Sequence, residues 1–171
     1  MKRKLSVCLF AVLLIGLALP SQTVIPVKNA SCHDWNPKTF WFEPWGSSGV
    51  HKGIDVFAAE NTPAIAAASG FVLFKGELAK GGKVVLMLGP KWRLHYYAHL
   101  SDIESKLSFW VDKGQQIGGV GTTGNAVGKP AHLHYSVVTL LPYPWLITSE
   151  TQGWKKMFYL DPALGFESCQ R

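Results

Sequence analysis

From residue 51 onward, the sequence consists of short apolar or alternating runs that turn residues separate. The runs read GFVLF, KVVLMLG, RLHYYAHL and LHYSVV, and they are bounded by glycine, proline, asparagine and lysine. Such runs are typical of β-strands, whereas an amphipathic helix repeats its apolar residues every 3.6 positions, a period that this chain does not sustain. A chain of 171 residues has the length of one domain with its own core. We therefore predict a single, mostly-β domain with few short helices.

The first 21 residues have the composition of an export signal. Lys2, Arg3 and Lys4 precede an apolar run over residues 5–19. This run is shorter than the roughly 20 residues that span a bilayer, which favours a cleaved signal peptide over a signal anchor in the membrane, although both remain open. We predict an exported protein in the periplasm or anchored to the inner membrane, with secretion from the cell as the alternative.

Export changes the interpretation of Cys32 and Cys169, the two thiols that lie beyond this segment. In an oxidising compartment, such a pair predicts one disulfide that ties the two ends of the domain together. Closing so long a loop stabilises the fold by about 4 kcal/mol on the chain-entropy model. Two unpaired thiols are the alternative.

The charge of the chain is mildly basic. The net charge falls from +6 to +3 once the three basic residues of the first segment are left out. This charge suits an anionic polymer such as a cell wall. The sequence has no basic run of the kind that binds along a nucleic-acid backbone, so we expect no nucleic acid as partner. We expect the protein to be a monomer.

Three short stretches concentrate histidine, and one of them also supplies an aspartate. In a strand, residues i and i+2 point to the same face, so the two histidines of HLHYSV are predicted side by side. The same rule puts the polar residues of HKGID on one face and those of LHYYAHL on one face. Two histidines and a carboxylate with a fourth position left to water are the ligand set of a catalytic zinc. The residues in question are His51, Asp55, His95, His99, His132 and His134.

Residues 48–140 resemble the lysostaphin-type (LytM-domain) zinc metallopeptidases, which cleave peptide bonds in peptidoglycan. The resemblance rests on HKGIDVFAAENTPAIAAASGFV, YYAHL, VDKGQQIGGVGTTGN and HLHYSV, in this order. It implies one antiparallel β-sheet or sandwich-like domain with an open groove, the duplicated hybrid motif of that family. We divide the chain into residues 1–21, an N-terminal extension (22–47), the metallopeptidase core (48–140) and a C-terminal extension (141–171).

The same resemblance assigns roles to single residues. It implies that His51, Asp55 and His134 bind one zinc ion and that His99 and His132 act in catalysis. The spacing alone does not decide which of His132 and His134 binds metal. The implied activity is a zinc-dependent endopeptidase that acts on the peptide stems of peptidoglycan, and D-alanyl cross-links are the expected substrate.

Three further residues are candidates for the substrate groove. Strand alternation puts His95 on the same face as His99, where it would form a wall of the groove or a hydrogen bond to a metal ligand; a merely packed histidine is the alternative. Asn125 lies in the loop before the HLHYSV strand, as a turn residue or as a contact to substrate, and Trp45 lies close to His51. The alternative function is a non-catalytic protein of the same family, which binds peptidoglycan or activates an amidase without hydrolysing anything.

Overall fold

The computed structural model describes residues 2–169, which form one sheet of nine strands and one α-helix, α1 (Lys2–Ala18). Short 3₁₀ turns connect several strands. The strands are β1 (Ile54–Phe57), β2 (Pro63–Ile65), β3 (Gly70–Leu78), β4 (Gly82–Gly89), β5 (Arg93–Ile103), β6 (Trp110–Val111), β7 (Gln116–Val120), β8 (His132–Thr139) and β9 (Tyr159–Leu160).

The strands pair antiparallel throughout, in the order β1-β8-β5-β4-β3-β6. Strand β7 pairs with β2 and with the end of β5, and β9 adds to the end of β8. This topology confirms the prediction of a mostly-β, open antiparallel sheet with few helices. It also makes β8 and β5 central strands, so their side chains reach both faces of the sheet.

The register between β5 and β8 defines the two faces. Ala98 lies opposite His134, and Tyr97 lies opposite Tyr135. Because directly opposed residues of an antiparallel pair point to the same side, Ala98 and His134 share one face, here called the groove face. Tyr97 and Tyr135 share the other, here called the core face.

Aromatic packing on the core face includes residues of both extensions. Tyr97 and Tyr135 are fully buried and stack with ring centroids 5.1 Å apart. Phe166 of the C-terminal extension stacks on Tyr135, and Trp35 of the N-terminal extension meets Phe166 edge-on at 5.2 Å. Full burial of a side chain such as Phe166 stabilises the fold by about 1.5–3 kcal/mol. Residues 22–47 and 141–169 are therefore built into the same core as the central sheet.

A disulfide closes this arrangement. It joins Cys32 and Cys169, whose Cα atoms lie 5.8 Å apart, as expected from the sequence. The bond links the two extensions directly where both pack against the core.

Helix α1 lies against the turn that precedes β5. The indole Nε1 of Trp92 donates a hydrogen bond to the carbonyl of Leu13 at 3.0 Å. Among residues 2–169, no helix has both the length and the apolar character needed to cross a membrane.

Candidate metal centre and active-site groove

Three side chains converge at the point where β1 meets β8. Asp55 on β1 is paired directly with His134 on β8, which places the two side chains on one face. Asp55 Oδ1 lies 2.8 Å from His134 Nδ1 and 3.1 Å from His51 Nε2, and the two nitrogens are 3.1 Å apart. The three candidate ligand atoms all lie within 4.8 Å of one another.

His51 reaches this point from outside the sheet. The sequence predicts a strand through His51 and Asp55, but β1 begins only at Ile54, so that expectation is wrong for His51. Its backbone instead pairs with residues 41 and 42 of the N-terminal extension. Its ring stacks on Trp45, with centroids 4.0 Å apart, and its side chain is 1% exposed.

The outer nitrogens of the two rings have their own partners. His51 Nδ1 lies 3.1 Å from the carbonyl oxygen of Thr39, which can only accept, so His51 carries its proton there. His134 Nε2 lies 2.9 Å from the hydroxyl of Ser136, which can accept a proton from this nitrogen or donate one to it. Without a metal, His134 Nδ1 can donate to Asp55 Oδ1; with the proton on Nε2 instead, Ser136 accepts it and Nδ1 presents a lone pair. The geometry thus allows the tautomer that a metal ligand needs, and two imidazoles with one carboxylate are a donor set that zinc prefers.

The protonation states of Asp55 and His134 in the absence of metal also suit metal binding. Burial opposes ionisation of Asp55, but the contacts with His134 and His51 outweigh burial and hold the pKa of this carboxyl well below its usual range. Burial is also the main reason that the pKa of His134 is lowered, since it outweighs the opposing effect of Asp55. At neutral pH, Asp55 is therefore ionised and His134 is neutral.

Gly53 leaves the space in which this cluster packs. A Cβ at this position would lie 2.4 Å from the Tyr135 carbonyl oxygen and 2.5 Å from Ser136 Oγ. Distances under 3 Å would force the chain apart, so only glycine lets residues 51–55 approach β8 this closely. Gly53 thus keeps Ser136 in position to hold His134.

His99 reaches the groove face through an unusual backbone conformation. Simple alternation along β5 would put His99 on the core face with Tyr97. Its φ of 65° is in the left-handed region, which costs a non-glycine residue about 1–3 kcal/mol and interrupts the alternation. The ring consequently lies 6.0 Å from that of His134, measured between centroids. Its Nδ1 donates to the Thr123 carbonyl at 2.9 Å, which leaves Nε2 available.

His132 completes the group on the groove face. Its Nδ1 donates to the carbonyl of Pro130 at 2.8 Å, and its Nε2 lies 3.9 Å from Asp55 Oδ2. The rings of His132 and His99 are perpendicular, with centroids 5.0 Å apart. Each catalytic candidate therefore has one nitrogen fixed by a backbone carbonyl and the other directed to the site.

The expectation that His95 shares a face with His99 is wrong, and His95 is the packed histidine of the alternative interpretation. His95 lies opposite Val137 on the core face, is 3% exposed and contacts the hydroxyl of Tyr135 through Nδ1 at 2.6 Å. Burial, with a smaller contribution from the Arg93 charge, lowers its pKa to about 4. His95 and His99 are both odd-numbered positions of β5, and the left-handed conformation of His99 itself puts the two side chains on opposite faces.

Residues 49–141 match peptidase family M23, which is more than half of the chain. The chain belongs to peptidase family M23. This family assignment confirms the resemblance to lysostaphin-type metallopeptidases that the sequence motifs carry.

Named relatives of this M23 domain include peptidases. It is 40% identical over 86 residues to the DD-carboxypeptidase/endopeptidase Mpg of Neisseria meningitidis, a match that covers 50% of this chain and 19% of Mpg. It is 33% identical over 91 residues to lysostaphin of Staphylococcus simulans, covering 52% of this chain and 18% of lysostaphin. The cell division protein DipM of Caulobacter vibrioides is 31% identical over 124 residues, covering 70% of this chain and 20% of DipM. The chain thus spans about a fifth of the length of these relatives.

Solved structures agree with the fold. The catalytic domain of lysostaphin from Staphylococcus simulans superposes with a TM-score of 0.53 at 27% identity, covering 70% of this chain and 81% of that domain. Csd3 of Helicobacter pylori superposes with a TM-score of 0.57 at 26% identity, covering 86% of this chain and 37% of Csd3.

The groove of the M23 domain has a volume of about 440 Å³. The three candidate metal ligands line it together with His99 and His132. Trp45 and Asn125 also line it. Three lysines that sequence reasoning missed also line it, and Asp55 is the one acidic residue of the lining within the described chain, so the groove is cationic. These lysines are Lys52, Lys80 and Lys129.

Sequence reasoning also missed the residues that hold the ligand and catalytic rings. Thr39, Thr123 and Pro130 act through backbone carbonyls, which no residue type identifies. Ser136 could have been found, because it lies two positions after His134 and therefore on the same face of the strand.

Proposed function

We propose that this M23 domain is a zinc-dependent endopeptidase that hydrolyses the peptide cross-links of peptidoglycan. The main support is the convergence of His51 Nε2, Asp55 Oδ1 and His134 Nδ1, three potential ligand atoms 2.8–3.1 Å apart. A protein that only bound peptidoglycan would have no need for such a cluster next to two further histidines.

His51, Asp55 and His134 would hold one zinc ion. When bound, zinc supplies a Lewis acid that polarises a peptide carbonyl and brings the pKa of water toward 7. The chain contributes the fixed orientation of the ligands, since Thr39 and Ser136 hold the outer nitrogens of His51 and His134. Such outer partners set which ring nitrogen is free to bind metal.

His99 and His132 would carry the proton transfers. Their Nδ1 protons are bonded to carbonyls, so each Nε2 can accept a proton from water and return it to the leaving amine. The same rings, once protonated, can stabilise negative charge that develops on the carbonyl oxygen. The groove contains no glutamate that could act as the base instead, among the residues that line it.

The substrate class rests on family membership and on the cationic groove. Family relatives include an enzyme named DD-carboxypeptidase/endopeptidase, which favours D-alanyl cross-links as the bond cleaved. Peptide stems of peptidoglycan carry carboxylates that suit a groove lined by Lys52, Lys80 and Lys129. The basic and apolar N-terminus and the disulfide between Cys32 and Cys169 support export, to the periplasm or to the membrane that bounds it, and we expect a monomer there.

The test is hydrolysis of a defined substrate. Zinc-loaded protein is incubated with purified cross-linked muropeptide dimers, and their conversion to monomers is followed by chromatography. We expect conversion that a chelator abolishes and added zinc restores. Intact dimers, with protein that still sediments with purified sacculi, would refute hydrolysis and favour the non-catalytic binding protein.

A further inference from the structure

One wall of the groove comes largely from the N-terminal extension rather than from the sheet. Residues 41–50, here called the Trp45 loop, contribute Trp45, Ser48 and Val50 to the lining. The ring of Trp45 lies on that of His51, with centroids 4.0 Å apart and an angle of 21° between the planes. The family match begins at residue 49, so most of this loop lies outside it. A candidate metal ligand is therefore packed against a segment that the family pattern does not describe.

The Trp45 loop is joined to the backbone of His51 by two hydrogen bonds. The amide of Trp41 donates to the carbonyl of His51 at 2.7 Å, and the amide of His51 donates to the carbonyl of Phe42 at 3.0 Å. Within the loop, the amide of Trp45 donates to the carbonyl of Gly49 at 2.9 Å. A displacement of the loop would therefore displace His51 through both its backbone and its ring.

Trp41 anchors one end of this loop in the C-terminal extension. Its side chain is buried, and its indole Nε1 donates to the carbonyl of Thr151 at 3.1 Å. Its ring lies against that of Tyr159, with centroids 5.9 Å apart, and the ammonium of Lys156 lies 5.5 Å from the ring centroid. The φ of Trp41 is 63°, a left-handed conformation that is uncommon for a bulky side chain. Such a conformation persists where surrounding contacts impose it, and these contacts include residues 151–159.

Gln152 holds the other end of the loop. Its side-chain nitrogen donates to the carbonyl of Ser48 at 2.9 Å, and its side-chain oxygen accepts from the ammonium of Lys155 at 2.8 Å. Because both ends of the amide are bonded, the orientation of the side chain is fixed. A Cβ at position 49 would lie 2.6 Å from the Gln152 nitrogen, and the φ of Gly49 is 77°. Glycine at this position therefore lets the loop and the C-terminal extension meet.

We propose that Trp41 and Gln152 are positioning residues through which the C-terminal extension holds the Trp45 loop, and with it His51, in the geometry that metal binding requires. This inference rests on the proposed zinc function. The C-terminal extension then acts on the groove through the loop rather than by contact with substrate. Loss of either contact should let the ring of His51 move relative to Asp55 and His134.

The first measurement uses the metal-free full chain. Amide hydrogen exchange, followed by NMR, reports on the bonds that the amides of Trp41, Trp45 and His51 donate. Trp41→Phe keeps an aromatic ring and removes the indole N–H, and Gln152→Ala removes the side-chain amide. We expect each variant to accelerate exchange at these three amides about 3- to 10-fold, the effect of losing one hydrogen bond. The amides of β5 and β8 should exchange as in the wild type, whereas a general loss of stability would accelerate them too.

The second measurement is zinc affinity, determined by competition with a fluorescent chelator. Loss of a direct partner of a metal ligand weakens affinity about 10- to 100-fold, and Trp41 and Gln152 act one step further out, so we expect a loss of about 3- to 10-fold in each variant. The matched controls are Trp110→Phe, which removes an indole hydrogen bond outside the groove, and Gln116→Ala, which removes a side-chain hydrogen bond on β7. Both controls should match the wild type in zinc affinity and in exchange at the loop amides.

Two results would overturn the proposal. One is unchanged exchange at the loop amides in either variant, since that residue would then not hold the loop. The other is faster exchange with the zinc affinity of the wild type, which would show that the loop does not position His51 as a ligand. A wild-type chain that binds no zinc would instead refute the proposed function. The exchange measurement, made without metal, would still decide whether the C-terminal extension holds His51.

Discussion

His95 and His99 lie four residues apart on β5, yet they point to opposite faces of the sheet. Both are buried, and burial lowers the pKa of each to about 4. His95 is enclosed on the core face, where its Nδ1 meets the hydroxyl of Tyr135. His99 lines the groove, where its Nδ1 is bonded to Thr123 and its ring faces those of His132 and His134.

The difference shows that burial and a lowered pKa do not by themselves place a histidine in the groove. What separates the two residues is the direction in which the free nitrogen points. The left-handed φ of His99 directs that nitrogen into the groove, and the regular extended strand directs His95 into the core. Backbone strain at a buried polar residue is therefore the more specific sign of a position in the groove here.

The largest effect is expected from a ligand on the groove face. His134→Ala removes one of three candidate zinc ligands, so we expect stoichiometric zinc to be lost and muropeptide hydrolysis to be abolished. Zinc is measured by mass spectrometry after gel filtration. His95→Leu, on the core face of the same sheet, is the control and should keep both zinc and hydrolysis. Full zinc content in His134→Ala would contradict the ligand assignment.

The next effect separates catalysis from metal binding. His99→Ala should lower the turnover rate about 10²- to 10⁴-fold while zinc content stays at the wild-type value, because a proton-transfer group is lost and the three ligands remain. The rate is measured with saturating muropeptide dimer. If His99→Ala with zinc bound were as active as the wild type, His99 would have no role in proton transfer, and its orientation into the groove would not reflect catalysis.

A smaller effect is expected from the residue that orients His134. Ser136→Ala removes the acceptor for His134 Nε2 and should weaken zinc affinity about 10- to 100-fold. Competition with a fluorescent zinc chelator measures this affinity. Ser105→Ala, at an exposed position, provides the matched control. An unchanged affinity in Ser136→Ala would show that the ring of His134 is held by packing alone.

The smallest effect on hydrolysis is expected from His95, whose contribution is to stability. The folded chain keeps His95 neutral down to about pH 4, whereas an unfolded chain takes up the proton near the ordinary value of 6.5. Between these values the unfolded state binds more protons, so the stability from this residue is present above pH 6.5 and is lost as the pH falls toward 4. The loss amounts to about 3 kcal/mol.

Urea unfolding of wild type and His95→Leu at pH 7.5 and pH 4.5, with chelator present throughout, isolates this contribution. His99 titrates in the same range in both proteins, so only the difference between them reports on His95. The free energy of unfolding should fall further for the wild type than for the variant. Equal losses in the two proteins would show that His95 is protonated at the same pH in both states.

Local patterns in the sequence determined the class of fold and most of the chemistry. The short alternating runs predicted a mostly-β domain, and the i, i+2 spacing placed His132 and His134 side by side, as their pairing with β1 confirms. The family motifs selected His51, Asp55 and His134 as ligand candidates before any distance between them was known. Alternation is a property of each strand alone, so it can be read without knowing the partners.

Only the tertiary structure decided where that alternation ends. A single φ of 65° at His99 reversed its face, and the start of β1 at Ile54 left His51 to be positioned by the N-terminal extension. The partners of the rings, such as Thr39 for His51 and Thr123 for His99, come from segments that packing brings together. The bonds between the C-terminal extension and the Trp45 loop also arise only where these two segments meet. Contacts between segments distant in sequence depend on how the whole chain packs, which strand periodicity does not encode.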